Sequence, residues 1–162
     1  MQNQMYLGYF QCPLGIVEIE ANKKALTSVK IFSADSLINH DGVKENAIIK
    51  KAKNQLNEYF AHKRKTFDLL LDFNGSEFQQ KVWHELAKIP FGKTMTYGQI
   101  AQKIGSKELT RAVGNANGKN PFWIIIPCHR VVGSHGELTG YAGGLWRKQW
   151  LLEHESNQFK LF

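Results

Sequence analysis

A chain of 162 residues is long enough for one generous domain or two small lobes. With 43% hydrophobic and 22% charged residues it reads as a folded globular protein and not as a disordered one. Its longest apolar stretch, Phe122–Ile126, stops at Pro127 and is far too short for a membrane span. Residues 1–10 lack the charged start and apolar core of a secretion signal. Two cysteines, Cys12 and Cys128, offer neither a disulfide framework nor the paired spacing of structural zinc. The expectation is a cytoplasmic, membrane-free protein with no metal and no cofactor. Net charge is +7. Residues 1–75 hold 10 Lys and Arg against 8 Asp and Glu, and residues 76–162 hold 11 against 6. A basic second half suits a polyanionic partner, although many basic proteins bind no nucleic acid.

The first 75 residues alternate as strands do. Val17, Ile19 and Ala21 oppose Glu18 and Glu20, and the pattern returns at Thr27, Val29 and Ile31 and again at Phe67, Leu69, Leu71 and Phe73. Ile48, Ile49, Ala52, Leu56, Tyr59 and Phe60 form a helical stripe between them, with Lys50, Lys51 and Lys53 on the wet side. A small sheet carrying one helix is predicted, and Asn74-Gly75 is a turn that ends the lobe.

The second lobe, residues 76–162, begins with a capping box, Ser76 with Gln79. The helix it opens places Phe78, Val82, Leu86 and Ile89 inward and ends at Pro90-Phe91-Gly92. A second box, Thr96 with Gln99, opens a short helix that Gly105 stops. Ser106 can cap the next, which carries Leu109, Ala112, Val113 and Ala116. Two short helices around a glycine turn fit a helix-turn-helix, and an ordinary helical hairpin fits as well. Leu145 to Glu153 read as a last helix with Trp146 and Trp150 in the core.

The chemistry concentrates in Asn120–Val132, where an apolar run delivers Cys128 directly after Pro127, followed by His129 and Arg130. A free thiol with a pKa near ~8.5 is mostly protonated at neutral pH, so a neighbouring base and positive charge would raise its thiolate fraction. Adjacent residues seldom face each other, so proton transfer to His129 calls for a water. A lone Cys-His pair leaves a reactive and a buried structural cysteine both open.

The segment IPCHRVV, with Asn120-Pro121 before it and GYAGG and WLLEHE after it, closely resembles the O6-alkylguanine-DNA alkyltransferases. The likeness runs from Phe78 to Glu155 and more faintly to Pro13-Leu14-Gly15. It implies an α+β protein: a small N-terminal α/β lobe with an antiparallel sheet, beside a mainly helical C-terminal lobe bearing a helix-turn-helix. It also implies single-turnover repair, with the alkyl group passing from O6 of guanine in double-stranded DNA to Cys128. The partner would be damaged DNA, held through its minor groove by a monomer.

The roles follow position by position. Cys128 matches the alkyl acceptor, His129 the water-relayed base, and Glu155 the carboxylate that orients it. Asn120 matches the support of the active-site loop, and Tyr97 the donor to the departing guanine. Tyr141, Ala142 and Gly143 match the loop around the extruded base, and the Cys128 and Val131 carbonyls are expected to read its amino group. Arg111 matches the arginine that replaces the flipped nucleotide in the stack. Ala112, Gly114, Asn115 and Arg130 are expected on DNA, because a minor groove only about 6 Å wide admits little side-chain bulk.

Lys107, Leu109, Thr110 and Asn115 depart from the smaller residues of many relatives, and Glu108 sets an acid near expected phosphates. Two other function classes compete. Non-catalytic alkyltransferase-like lesion binders lack the cysteine, and a helix-turn-helix regulator or a cysteine hydrolase would not need the whole motif set.

Overall fold

The computed structural model describes residues 4–36 and 44–156 of the chain. They divide into two compact units, Met1–Asn74 and Gly75–Phe162. The first contains a three-stranded antiparallel sheet in the order β1 (Tyr6–Cys12), β2 (Gly15–Ala21), β3 (Leu26–Phe32). Register follows from alternation: Gly8, Ile19 and Val29 align across the three strands on the buried side, as do Phe10, Val17 and Ile31. Helix α1 (Ala47–Phe60) covers this face with Ile49, Ala52, Leu56 and Tyr59, and its N-terminus is capped by the Asn46 side chain on Ile49 N.

Residues 67–73 differ from the expected strand. Accessibility alternates along them, but the segment makes a single parallel bridge, Leu26 to Leu71. The reason is local. The buried Gln55 side chain takes the backbone N–H of Asp68 at 2.9 Å and donates to its carbonyl at 3.2 Å, so a side chain stands where a strand would pair. Satisfied backbone groups need no ladder.

The second unit is mainly helical, so the protein as a whole is α+β. Both capping boxes form, Ser76–Gln79 on α2 (Glu77–Leu86) and Thr96–Gln99 on α3 (Tyr97–Ile104). Helix α2 ends three residues earlier than expected, yet Ile89 is still buried in the turns that follow. Ser106 caps a 3-10 turn over Lys107–Leu109, and α4 (Thr110–Gly118) starts only after that turn. Helices α2 and α3 both pack on α4, and the Trp83 indole N–H ties α2 to the Ala116 carbonyl at 2.8 Å. Two-residue strands β4 (Met95–Thr96) and β5 (Val131–Val132) pair in parallel. That pairing sets Tyr97, the first residue of α3, beside the segment that follows Cys128.

The last helix, α5 (Leu145–Glu155), buries Lys148, Leu151 and Glu155. Trp146 corrects the expectation of two core tryptophans. It is 55% exposed, because it lies on the face opposite Glu155, with the Arg147 guanidinium 4.6 Å from its ring centroid. Trp150 is half-buried and stacks on His154 at 4.8 Å.

Candidate active site

The cysteine is delivered by a tightly wound segment. Asn120, buried at the end of α4, donates to the carbonyls of Phe122 (3.2 Å) and Ile126 (2.8 Å) and accepts from Phe122 N (2.9 Å). Ile124 sits at φ 72°, a region a β-branched residue avoids, and the turn bond from Ile126 N to Phe122 O holds it there. Strain of this kind costs on the order of 1–3 kcal/mol and persists only where the surroundings over-determine it. The segment ends in a 3-10 turn, Cys128–Arg130, in which all three side chains are buried.

Behind the cysteine lies a charged network closed to solvent. His129 Nε2 is 2.8 Å from Glu155 Oε2, and Arg130 donates to both Glu155 oxygens, through Nε at 2.7 Å and Nη2 at 2.9 Å. Arg130 Nη1 donates to the Ile89 carbonyl at 2.6 Å. Burial alone would raise the Glu155 pKa, but His129 and Arg130 reverse that and hold the carboxyl well below its usual range. Burial, together with the Arg130 and Lys148 cations, lowers the His129 pKa although Glu155 pulls it up. The resting pair is therefore a carboxylate beside a neutral imidazole. A carboxylate accepts and cannot donate, so the imidazole proton is on Nε2. Nδ1 then carries the lone pair, and that atom is buried with no partner.

Cys128 is 4% exposed, and burial pushes its thiol up to about 11. Asn120, the Lys148 cation, the local backbone and the Tyr141 hydroxyl each pull the other way. The Tyr141 hydroxyl is itself buried with no conventional hydrogen-bond partner, and its pKa is raised well above normal by burial and by Cys128.

Tyr97, Arg111, Gly114, Asn115, Tyr141 and Ala142 come together around a cleft of about 470 Å³, along with Thr110, Asn117 and Gly118 of α4 and Thr139-Gly140. Two wall residues also touch Cys128: Asn117 Nδ2 donates to its carbonyl at 3.4 Å, and the Tyr141 hydroxyl interacts with its thiol. Gly143 lies under the wall, where a Cβ would come 2.7 Å from the Tyr141 ring and 3.1 Å from Trp123. Gly144, at φ 88°, makes the left-handed turn into α5. Val131 is fully buried in β5, and Ala112 is half-buried on α4; neither lines the cleft.

Arg130 is the clear correction among the site residues. Expected on DNA, it is 5% exposed, and its guanidinium is spent on Glu155 and Ile89. An arginine turned inward cannot reach a phosphate.

Sequence reading missed Lys148 and Asn117. Lys148 is fully buried, and Nζ donates to Thr139 O at 2.8 Å, Gly140 O at 3.3 Å and Tyr97 Oη at 3.4 Å. Burial lowers its pKa to about 8, although Cys128 pulls it back up. The signal was present: Lys148 shares an inward stripe with Leu151 and Glu155, and Asn117 shares one with Val113 and Ala116.

Residues 77–157 match the 6-O-methylguanine DNA methyltransferase DNA-binding domain, and residues 5–73 match the ribonuclease-like domain of the same methyltransferases. The chain belongs to the 6-O-methylguanine DNA methyltransferase family. A methylated-DNA--protein-cysteine methyltransferase of Methanosarcina acetivorans is 42% identical, over 94% of this chain and 99% of its own. One from Mycolicibacterium paratuberculosis is 45% identical, over 88% and 87%. The crystal structure of Mycobacterium tuberculosis OGT in complex with DNA superposes with a TM-score of 0.82 at 39% identity, covering 97% of this chain and 99% of that one.

Proposed function

We propose that this methyltransferase repairs DNA by moving the alkyl group of O6-alkylguanine onto Cys128, once per molecule. The observation that carries the reading is the buried row Cys128, His129, Glu155, Arg130 beside a cleft walled by α4 and Tyr141. In the step, the Cys128 sulfur forms a bond to the alkyl carbon as the bond from that carbon to guanine O6 breaks. The thiol proton passes through an intervening water to His129 Nδ1, and Glu155, fixed by Arg130, stabilises the imidazolium that results. The leaving guanine carries new negative charge and takes a proton or hydrogen bond from Tyr97, whose hydroxyl turns to it from the Thr139 carbonyl at 3.1 Å and whose oxygen faces the Lys148 cation.

A thiol near 11 is almost wholly protonated at neutral pH. That suits a nucleophile uncovered and deprotonated only when the base arrives. Arg111 and Asn115 are exposed on α4 at the cleft, which supports a role facing the duplex, with Arg111 entering the stack after the base leaves it. Docking through the minor groove suits the small Ala112 and Gly114 of the same helix.

Cys128→Ser tests the assignment. It should bind a duplex containing O6-methylguanine as the wild type does and accept no methyl group. Transfer by the serine variant would reject Cys128 as acceptor.

A further inference from the structure

Among the described residues, five buried side-chain polar atoms have no hydrogen-bond partner, and three of them belong to residues around Cys128: His129 Nδ1, Tyr141 Oη and Asn117 Oδ1. The first two have roles above. Asn117 Oδ1 has none. A buried carbonyl without a partner is costly, and a native structure keeps one where something else supplies the donor.

The orientation of the carboxamide is fixed by chemistry. Nδ2 faces the Cys128 carbonyl at 3.4 Å; turned over, the group would set two oxygens against each other. Oδ1 is thus an acceptor next to a second acceptor, the Cys128 carbonyl, in a residue that is 4% exposed and lines the cleft. Both are shut off from solvent in the free protein. A base whose alkyl carbon reaches the Cys128 sulfur passes the wall that Asn117 and Tyr141 form, and Oδ1 is the acceptor there without a donor. The Cys128 carbonyl already accepts from Asn117 Nδ2 and from the Val131 N–H, so the unmet acceptor is Oδ1, and it calls for an N–H donor.

We propose that Asn117 is a specificity-determining residue that makes the cleft favour a base with an exocyclic amino group. The residue holds the Cys128 carbonyl in place with Nδ2 and offers Oδ1 beside it. O6-alkylguanine carries such a group. O6-alkylhypoxanthine, identical but for that amino group, does not, nor does O4-alkylthymine. A base without the donor leaves the desolvated Asn117 Oδ1 unpaired, and sites built to bond a missing donor discriminate strongly. This inference rests on the cleft being the alkylated-base site.

The test is single-turnover methyl transfer from duplexes containing either O6-methylguanine or O6-methylhypoxanthine, with wild type, Asn117→Leu and Asn117→Ala. Wild type should prefer the guanine by at least about tenfold. Either variant should cut that preference to about threefold or less, mainly by losing rate on guanine. A general loss of structure would slow both substrates alike and leave the ratio unmoved, and a ratio unchanged in the variants overturns the proposal. A wild type with no preference overturns it too. Should Asn117→Leu fail to fold, Asn117→Ala, which adds no bulk, decides. If wild type transfers methyl from neither duplex, the reading of the site itself fails, a result distinct from failure of the Asn117 assignment.

Discussion

Glu155→Gln is the most informative single perturbation, because it changes charge and almost nothing else. The carboxylate is 3% exposed and accepts three bonds, one from His129 and two from Arg130. Neutralising it leaves the Arg130 guanidinium buried against an amide and the Ile89 carbonyl. Removing one partner of a buried pair costs about 3–5 kcal/mol, since the other charge stays desolvated. At roughly 2–4 °C per kcal/mol for a chain of this size, the melting temperature should fall by roughly 6–20 °C. Adding Arg130→Met removes the stranded charge and should recover at least half of the loss. The pH dependence gives a second check. Because the folded-state pKa of Glu155 is depressed, its contribution is present above the ordinary carboxylate range and is lost as pH falls through the folded value. The variant should therefore lose less stability on acidification than wild type. Chemical denaturation from pH 3 to pH 8 measures both effects. A loss below about 1 kcal/mol, with no change in acid dependence, would refute the claim that this ion network is buried and charged.

Three further outcomes follow from the same site. His129→Ala should slow transfer at pH 7, and the gap to wild type should narrow as pH rises toward the Cys128 value of about 11, where hydroxide replaces the lost base; a gap constant with pH would reject the role. Lys148→Met removes a cation that lowers the thiol pKa, so transfer at neutral pH should drop about tenfold for each unit the thiol rises. Lys148 itself loses its proton near pH 8, so that deficit should be largest below pH 8, which a pH–rate profile with a free alkylated base would show. Arg111→Ala should impair repair of duplex DNA far more than reaction with free O6-benzylguanine, which needs no base flipping; equal losses would make Arg111 a fold residue.

Much of this architecture was legible in the sequence because its signals are local. Both capping boxes, the α1 stripe and the alternation of β2 and β3 depend on residues a few positions apart, and all form as read. Motif order brought Cys128, His129, Glu155 and Tyr97 to notice. What stayed hidden depends on contacts distant in sequence. Gln55 takes the backbone bonds of Asp68, which no alternation pattern in residues 67–73 reveals. Arg130 reads as a surface cation until Glu155, 25 residues on, is seen to claim it. Lys148 sits on the inward stripe of α5, yet a lysine there reads as wet until the loop carbonyls of Thr139 and Gly140 are seen to take its ammonium.

The central claim is that Cys128 is the permanent destination of the alkyl group. Wild-type protein mixed with an excess of duplex containing O6-methylguanine, then analysed by intact mass and peptide mapping, tests it directly. The account predicts a gain of one CH₂ unit per molecule, located on the peptide bearing Cys128, with Cys12 unmodified and no further guanine repaired once that mass appears. Repeated repair by protein of unchanged mass, or label on any other residue, would contradict it.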